Sequence, residues 1–285
     1  MMRYKLLLAA ALAMAMLAGQ ALAVDILDAI DAHRKKHFQE AMGLFKTLAK
    51  YDDHRAEYML GVMYENGQGI ASDYEEAFRW YLLSAEGNFV LAQYNVGQAY
   101  HQGIIVEQNL AEAAKWYELA AEQGMASAQN DVANMYVGGI GVAQDYDKAA
   151  KWYRAAADQD MLAAQAALGF LYMRGRGVAK DEAQAIQWWR KAGGRGNTMA
   201  QFQLGQAYRE GRGVKANPEE AYKWYQMAAI QGDEEAQLIM GIIHYKGEGV
   251  EPDPQEARRW WTKAAQRGNR EAERRLEELM QNGGR

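Results

Sequence analysis

Tryptophan recurs in this chain with a period of 36 residues, and other residue types keep the same spacing. The six tryptophans are Trp80, Trp116, Trp152, Trp188, Trp224 and Trp260. Alanine keeps the period from Ala56 to Ala272, and glycine keeps it from Gly67 to Gly247. A period of this length predicts one supersecondary unit that is copied in tandem and stacked into a solenoid, because each copy hides its apolar face against its neighbours.

Each copy contains the signals for two helices, called helix A and helix B below. In residues 199–234, Ala200 and Leu204 have the spacing of one helix face, and Gly211 supplies the positive φ that a tight C-cap requires. Asn217 then predicts a side-chain N-cap for helix B. An Asp or Asn stands at this position in all six copies: Asp73, Asn109, Asp145, Asp181, Asn217 and Asp253.

Helix B carries a tryptophan that is followed by a second aromatic residue, among alanines that share one stripe of the helix. The pattern Ala-x₃-Leu-Gly-x₂-Tyr-x₂-Gly-x-Gly-Val-x₂-Asp-x₃-Ala-x₂-Trp-[Tyr/Trp]-x₂-Ala-Ala resembles the Sel-1-like repeat, a relative of the tetratricopeptide repeat with a longer loop between its helices. The resemblance implies an all-α fold, a right-handed α-α superhelix (solenoid) of six 36-residue repeats with helical caps. Ile105 replaces the second loop glycine in repeat two, so we expect a different loop there.

The repeats divide the chain into four predicted parts. Residues 1–23 have the positive start, the short apolar run and the small residues of a secretory signal, with cleavage expected after Ala23. Residues 24–54 are predicted as an N-terminal capping helical hairpin, and residues 271–285 as a C-terminal capping helix and tail. The six repeats between them are predicted at residues 55–90, 91–126, 127–162, 163–198, 199–234 and 235–270.

The predicted signal places the protein in the periplasm or the secreted space, without an integral membrane anchor after cleavage. The chain has no cysteine, so it can form neither a disulfide nor the lipid-bearing cysteine of a lipoprotein. Loss of Arg3 and Lys5 with the signal changes the formal charge from −5 to −7. This acidic balance argues against nucleic acid or an anionic membrane surface as the principal ligand.

The sequence predicts no catalytic residues, no cofactor and no metal site. His33 and His37 stand four residues apart on a predicted helix, but no third ligand follows at a recognisable spacing. The loop 211–213, Gly-Arg-Gly, superficially resembles a phosphate-binding loop; it lies between two helices rather than after a strand, so a helix cap explains it. The many carboxylates leave an acid/base pair across the stack as an open alternative.

Positions that vary among the copies are free to recognise a partner, whereas identical positions build the stack. Two helix A positions, three residues apart, change polarity together from copy to copy. The candidate partner-binding residues at these positions are Asn95, Gln98, Asp131, Asn134, Phe170, Gln203, Gln206, Ile239 and Ile242. Because the related tetratricopeptide family binds peptides with helix A, we expect these residues to line the concave side, with Phe170 as an apolar anchor.

Other interpretations of these surfaces remain open. The candidate residues are also compatible with a solvated groove or with contacts to the repeat's own second helix. A basic row of loop residues, Arg174, Arg176, Arg209 and Arg212, is a second candidate surface for an acidic partner. The recurrent glutamine of helix A, from Gln93 to Gln237, varies too little to set specificity, and we expect it to hydrogen-bond between neighbouring repeats.

The leading hypothesis is a non-catalytic adaptor that binds a protein or peptide partner in its groove. The family resemblance implies roles in assembling membrane-associated complexes, in signalling or in host interaction, and does not choose among them. One alternative is a hydrolase or binder of cell-wall or β-lactam compounds, as described for some cysteine-rich exported relatives, although this chain lacks their cysteines. Another is a scaffold for exopolysaccharide export.

Overall fold

The computed structural model describes residues 25–282, which contain fifteen α-helices and no strand. In chain order the helices are α1 Ile26–Arg34, α2 Phe38–Ala49, α3 His54–Asn66, α4 Tyr74–Glu86, α5 Val90–Gln102, α6 Leu110–Glu122, α7 Ala126–Gly138, α8 Tyr146–Asp158, α9 Leu162–Arg174, α10 Glu182–Gly194, α11 Thr198–Glu210, α12 Pro218–Ile230, α13 Glu234–Lys246, α14 Pro254–Ala265 and α15 Arg270–Asn282. Helices α3, α5, α7, α9, α11 and α13 are helix A of the six repeats. Each is followed by its helix B.

The helices belong to two compact units, one ending at Ala143 and the other beginning at Gln144. The first unit contains α1–α7 and the second contains α8–α15. Within each unit, every helix packs against the next helix in the chain. Such packing of consecutive helices is what a tandem repeat of two-helix modules requires, because no single module can bury its apolar stripe alone.

The ends of the helices follow the caps predicted from the sequence. Asn217 accepts a hydrogen bond from the backbone N–H of Glu220 at 3.0 Å and begins α12, while Gly211 ends α11 with φ +72°. The Asp or Asn side chain at the same position caps helix B in all six repeats. Each cap satisfies a backbone donor that the helix itself leaves free.

The second loop glycine lets the loop lie against the preceding repeat. At Gly177, φ is +65° and an added Cβ would lie 1.9 Å from the carbonyl oxygen of Tyr146, so no other residue fits without a backbone shift. Ile105 occupies this place in repeat two and does not adopt a positive φ. Its side chain instead packs against the apolar cluster that contains Phe78 and Val96. The loop of repeat two therefore differs from the other five.

The repeated aromatic positions form the core. Trp189 is 1% exposed and packs on Gly169, where an added Cβ would lie 2.3 Å from the indole nitrogen. The indole N–H donates to the carbonyl oxygen of Ala166 at 3.1 Å, which joins α10 to α9. The tryptophan one residue earlier, Trp188, is also buried. The aromatic residue that follows the repeated tryptophan is buried in all six repeats, whereas three of the repeated tryptophans are half-buried: Trp80, Trp116 and Trp224.

In repeats two to six, a buried glutamine joins the repeat to the one before it. The Nε2 of Gln201 in α11 donates to the carbonyl oxygen of Gly193, near the end of α10, at 2.9 Å. The glutamines that make the same bond are Gln93, Gln129, Gln165, Gln201 and Gln237. The predicted hydrogen bond between neighbouring repeats is confirmed, and it satisfies a carbonyl that the helix end leaves free.

Candidate functional site

The nine candidate residues lie on helix A of repeats two to six, and together they are called the helix-A row. In the first unit, Asn95 and Gln98 lie on α5, and Asp131 and Asn134 lie on α7. Asn134 is exposed and the other three are half-buried. Positions that are identical in the copies, such as Ala92, are fully buried. The variable positions of the first unit are therefore the accessible ones.

Tyrosine hydroxyls connect the row within the first unit. The phenol of Tyr94 on α5 donates to the carboxylate of Asp131 on α7 at 2.9 Å. The Asn95 amide lies near the phenols of Tyr58 and Tyr81 and lowers the pKa of each against the larger effect of burial. An amide offers two donors and two acceptor lone pairs, so Asn95 keeps capacity for a further partner. The Tyr94–Asp131 hydrogen bond and the neighbouring phenols therefore form a polar network that links α5 to α7.

The phenols of this network stay protonated at physiological pH. Burial raises the pKa of Tyr94 to about 12, and its hydrogen bond to Asp131 contributes to the same shift. Burial also raises the pKa of Tyr81, with the hydrogen bond from its hydroxyl to Glu65 as the second cause. A group that must lose solvation on ionising stays in its neutral form. The network therefore keeps its phenolic donors throughout the neutral range.

The second unit carries the remaining five members of the row: Phe170, Gln203, Gln206, Ile239 and Ile242. All five are half-buried. The ring of Phe170 on α9 meets the indole of Trp189 edge to face, with 5.5 Å between the ring centroids. This contact fixes the Phe170 ring and leaves part of it accessible, as an apolar anchor requires. The row of the second unit therefore has apolar residues on α9 and α13, and amides on α11.

The basic row of loop residues is largely committed to intramolecular contacts. Arg209 pairs with Glu248 at 3.1 Å, and Arg212 pairs with Glu210 at 2.7 Å. The guanidinium of Arg176 lies 5.2 Å from the ring centroid of Tyr146 and donates to its hydroxyl. Three of the four arginines thus have partners within the chain, so this surface is less suited to an acidic partner than the sequence indicates.

In residues 25–282 no three His, Asp or Glu side chains approach closely enough to hold a metal ion. The Nε2 of His33 lies 2.7 Å from the side-chain oxygen of Gln68, and His37 lies beside Glu40. No helix in the same range combines the length and apolar composition needed to cross a membrane. The predicted signal segment, residues 1–23, lies outside the described residues.

Sequence reasoning missed the tyrosines that connect the row. Tyr58 and Tyr94 lie one period apart, and each stands one residue before a variable helix A position. This spacing is the sequence signal that could have identified them. The bond from Tyr94 to Asp131 joins residues 37 apart. A search for partners one repeat plus one residue away would have found both.

Six consecutive segments of the chain match the Sel1 repeat, at residues 54–89, 90–125, 126–161, 162–197, 198–233 and 234–269. They begin one residue before the boundaries predicted above.

Two solved structures resemble the chain at 33% sequence identity. One is a protective antigen present in uropathogenic Escherichia coli strains and displaying an SLR fold; it matches with a TM-score of 0.83 over 93% of this chain and 58% of its own. The other is a Sel1 repeat protein from Oxalobacter formigenes, with a TM-score of 0.78 over 85% of this chain and 100% of its own. This chain thus spans 58% of the length of the E. coli protein. No curated protein matches the sequence significantly.

Proposed function

The chain belongs to the Sel1 repeat family, whose members are generally non-enzymatic scaffolds for protein–protein interaction, and we propose that it holds a protein or peptide partner on its helix-A row. The observation that carries this proposal is the contrast between the two kinds of helix A position. Ala200, which is alanine in every copy, and Leu204, which is apolar in every copy, are fully buried, whereas the neighbouring variable positions Gln203 and Gln206 reach the surface. Accessible positions that differ among copies are suited to recognising a partner.

The chemistry of the row in the second unit suits an extended segment of a partner. The amides of Gln203 and Gln206 each supply donors and acceptors, as the backbone of an extended peptide requires. Phe170 and Ile239 supply apolar contact on the neighbouring helices. Apolar anchors beside groups that satisfy the polar backbone are typical of peptide-binding surfaces.

The first unit favours a partner segment with basic or hydrogen-bond-donating side chains. Its described part, residues 25–143, contains 17 Asp or Glu against 8 Lys or Arg, a net charge of −9. Residues 144–282 contain 20 against 21, a net charge of +1. A negative field attracts and orients a basic segment before contact is made. The two units therefore contribute different recognition chemistry.

We place this interaction in the periplasm or the secreted space because the sequence predicts export. The support is the predicted secretory signal in residues 1–23. No contact among the described residues specifically favours a cell-wall hydrolase or an exopolysaccharide-export scaffold, so we propose the adaptor.

Co-purification tests the proposal directly. The full chain, carrying a C-terminal tag so that the predicted signal is kept, is expressed in the native host, and the mature protein is expected to recover one stoichiometric protein partner. A double variant, Phe170→Ala with Gln206→Ala, is expected to reduce recovery at least about tenfold, because central anchors dominate interface energy. Met199→Ala is the matched control, since Met199 lies on the same helix as Gln206, is exposed and is outside the row.

Both variants must keep the helical circular dichroism of the parent protein. Undiminished recovery by the double variant, or equal loss with Met199→Ala, would contradict the proposal. Turnover of a β-lactam or a muropeptide by the purified protein would replace it with the enzymatic alternative.

A further inference from the structure

A cavity of 350 Å³ lies where the end of α14 meets the turn between α12 and α13. Its lining includes the cationic side chains of Lys263 and Arg267 and the buried side chain of Gln237. Gln237 is two residues from Ile239, and two helical residues differ by about 200° in direction. The cavity and the helix-A row therefore lie on different sides of α13, and an inference about one does not depend on the other.

Gln237 leaves a buried acceptor without a partner. Its side chain is 4% exposed, and its Nε2 donates to the carbonyl oxygen of Ala229 at 3.0 Å. Its Oε1 is buried and receives no hydrogen bond from residues 25–282. A buried acceptor without a donor is costly and uncommon in folded proteins. An N–H or O–H donor of a ligand in the cavity would satisfy the Oε1 of Gln237.

The two cations beside Gln237 are not neutralised. The Nζ of Lys263 lies 4.0 Å from the centroid of the Trp260 ring. The guanidinium of Arg267 lies against Gly232, where an added Cβ would be 2.7 Å from Nη2. In the described part of the chain, neither cation forms an ion pair with a carboxylate. The cavity also offers positive charge to an anion.

Repeat four contains the same arrangement with its anion built in. Arg195 lies two periods before Arg267 and is its equivalent in the repeat, and it contacts the carboxylate of Asp160 at 3.2 Å. The same carboxylate oxygen accepts from Nε2 of Gln165, the counterpart of Gln237, at 3.3 Å. In repeat six the residue equivalent to Asp160 is Gly232, so the cation and the glutamine remain but the carboxylate is missing.

Repeat five shows the neutral form of this site. Gln231 stands in place of the arginine, and its Nε2 donates to the Oε1 of Gln201 at 2.7 Å. The glutamine that is left unpaired in repeat six is therefore satisfied in repeat five, where no cation is present. The Oε1 of Gln165 in repeat four also lacks a partner among the described residues, so comparison of these repeats assigns only an anion beside Arg267 to a ligand. The buried, unpartnered Oε1 of Gln237 separately offers that ligand a place for a hydrogen-bond donor.

We propose that this cavity binds the carboxyl terminus of a peptide. The terminal carboxylate takes the place that Asp160 occupies in repeat four and pairs with Arg267 and Lys263. The amide N–H of the terminal residue is held close to that carboxylate and donates to the Oε1 of Gln237. Ile230, which is 71% exposed and lines the cavity, contacts an apolar terminal side chain. A sugar acid supplies donors and a carboxylate but no apolar group for Ile230.

The test is a titration of ¹⁵N-labelled residues 24–285 with small ligands, monitored by ¹H–¹⁵N correlation spectra. N-acetyl-leucine supplies the terminal N–H, the carboxylate and an apolar side chain, and N-acetyl-leucinamide lacks only the carboxylate. Saturable shifts are expected at the Gly232 backbone amide and the Gln237 side-chain amide. The amide compound is expected to bind at least about tenfold more weakly, because it loses the charge-assisted hydrogen bonds.

Two variants locate the site. Arg267→Gln reproduces the arrangement of repeat five and is expected to weaken binding of N-acetyl-leucine at least about tenfold. Arg195→Gln is the matched control, because Arg195 already has an internal carboxylate, and its affinity is expected to stay within about twofold of the parent. Circular dichroism shows whether each variant keeps its fold. If Arg267→Gln does not fold, Lys263→Gln replaces it as the variant that tests the site.

Equal titration by the acid and the amide, or equal loss in both arginine variants, would overturn the proposal. Glucuronate is titrated in parallel, and binding as tight as that of N-acetyl-leucine would replace the peptide terminus with a sugar acid. Gln203→Ala with Gln206→Ala must leave binding of N-acetyl-leucine unchanged, which separates failure at this cavity from failure at the helix-A row.

Discussion

Replacing Trp189 by alanine measures how much the repeated aromatic position contributes to the stability of the stack. Its indole is 1% exposed, donates to the carbonyl oxygen of Ala166 and contacts Gly169. Burial of about 200 Å² at about 25 cal/mol per Å² corresponds to roughly 5 kcal/mol. Alanine keeps a small part of this area and leaves a cavity, so we expect the free energy of unfolding to fall by about 3–5 kcal/mol.

Urea unfolding followed by circular dichroism measures this loss, with an unchanged m-value as the sign that the change lies in stability. Trp189→Tyr is the matched control, because tyrosine stands at this position in four of the six repeats. It keeps most of the ring contact and loses the indole hydrogen bond, so a smaller cost of about 1–2 kcal/mol is expected. A cost near zero for alanine, or an equal cost for both variants, would refute the role of Trp189 as a core residue.

Three further perturbations test individual contacts. Gly205→Ala is expected to lower the free energy of unfolding by about 1–3 kcal/mol, because the added Cβ would lie 2.7 Å from the Tyr225 ring; an unchanged urea midpoint would contradict this. Asn217→Ala removes the N-cap of α12 and is expected to cost about 1 kcal/mol by the same assay, whereas Asn217→Asp is expected to keep it. Backbone hydrogen bonds, led by that from Glu256, lower the pKa of Asp253, so its stabilisation is present above its unfolded pKa and is lost as pH falls through the lower folded value. We therefore expect the Asp253→Asn variant to lose less free energy of unfolding than the parent protein as pH falls below about 4. An equal loss in both proteins would contradict this.

The fold was accessible from the sequence because each local signal repeats six times. The N-cap of Asn217, the C-cap of Gly211 and the aromatic stripe all fall where their spacing predicts. The lack of variation at the Gln201 position predicts a structural role, and the hydrogen bond from Gln201 to the preceding repeat confirms it. Agreement between short-range signals and the long period leaves few alternative structures.

The candidate site was accessible only in part. The period identifies which helix A positions vary, but not that Tyr94 reaches Asp131 on the next helix A, since that contact depends on the offset between stacked helices. The partners of Arg209 and Arg212 likewise depend on loop conformation. The cavity beside Arg267 becomes apparent only when its contacts are compared with those of Arg195, because the two arginines are indistinguishable in sequence pattern.

Site-specific photo-crosslinking in the native host tests the central claim, that the helix-A row holds the partner, most directly. A photoreactive residue is introduced at Gln206 in the row and, separately, at Met199 on the same helix outside it. The proposed function predicts a single crosslinked protein from position 206 and none from position 199. The same partner crosslinked from position 199 alone, or from neither position while the protein still co-purifies with it, would contradict the claim.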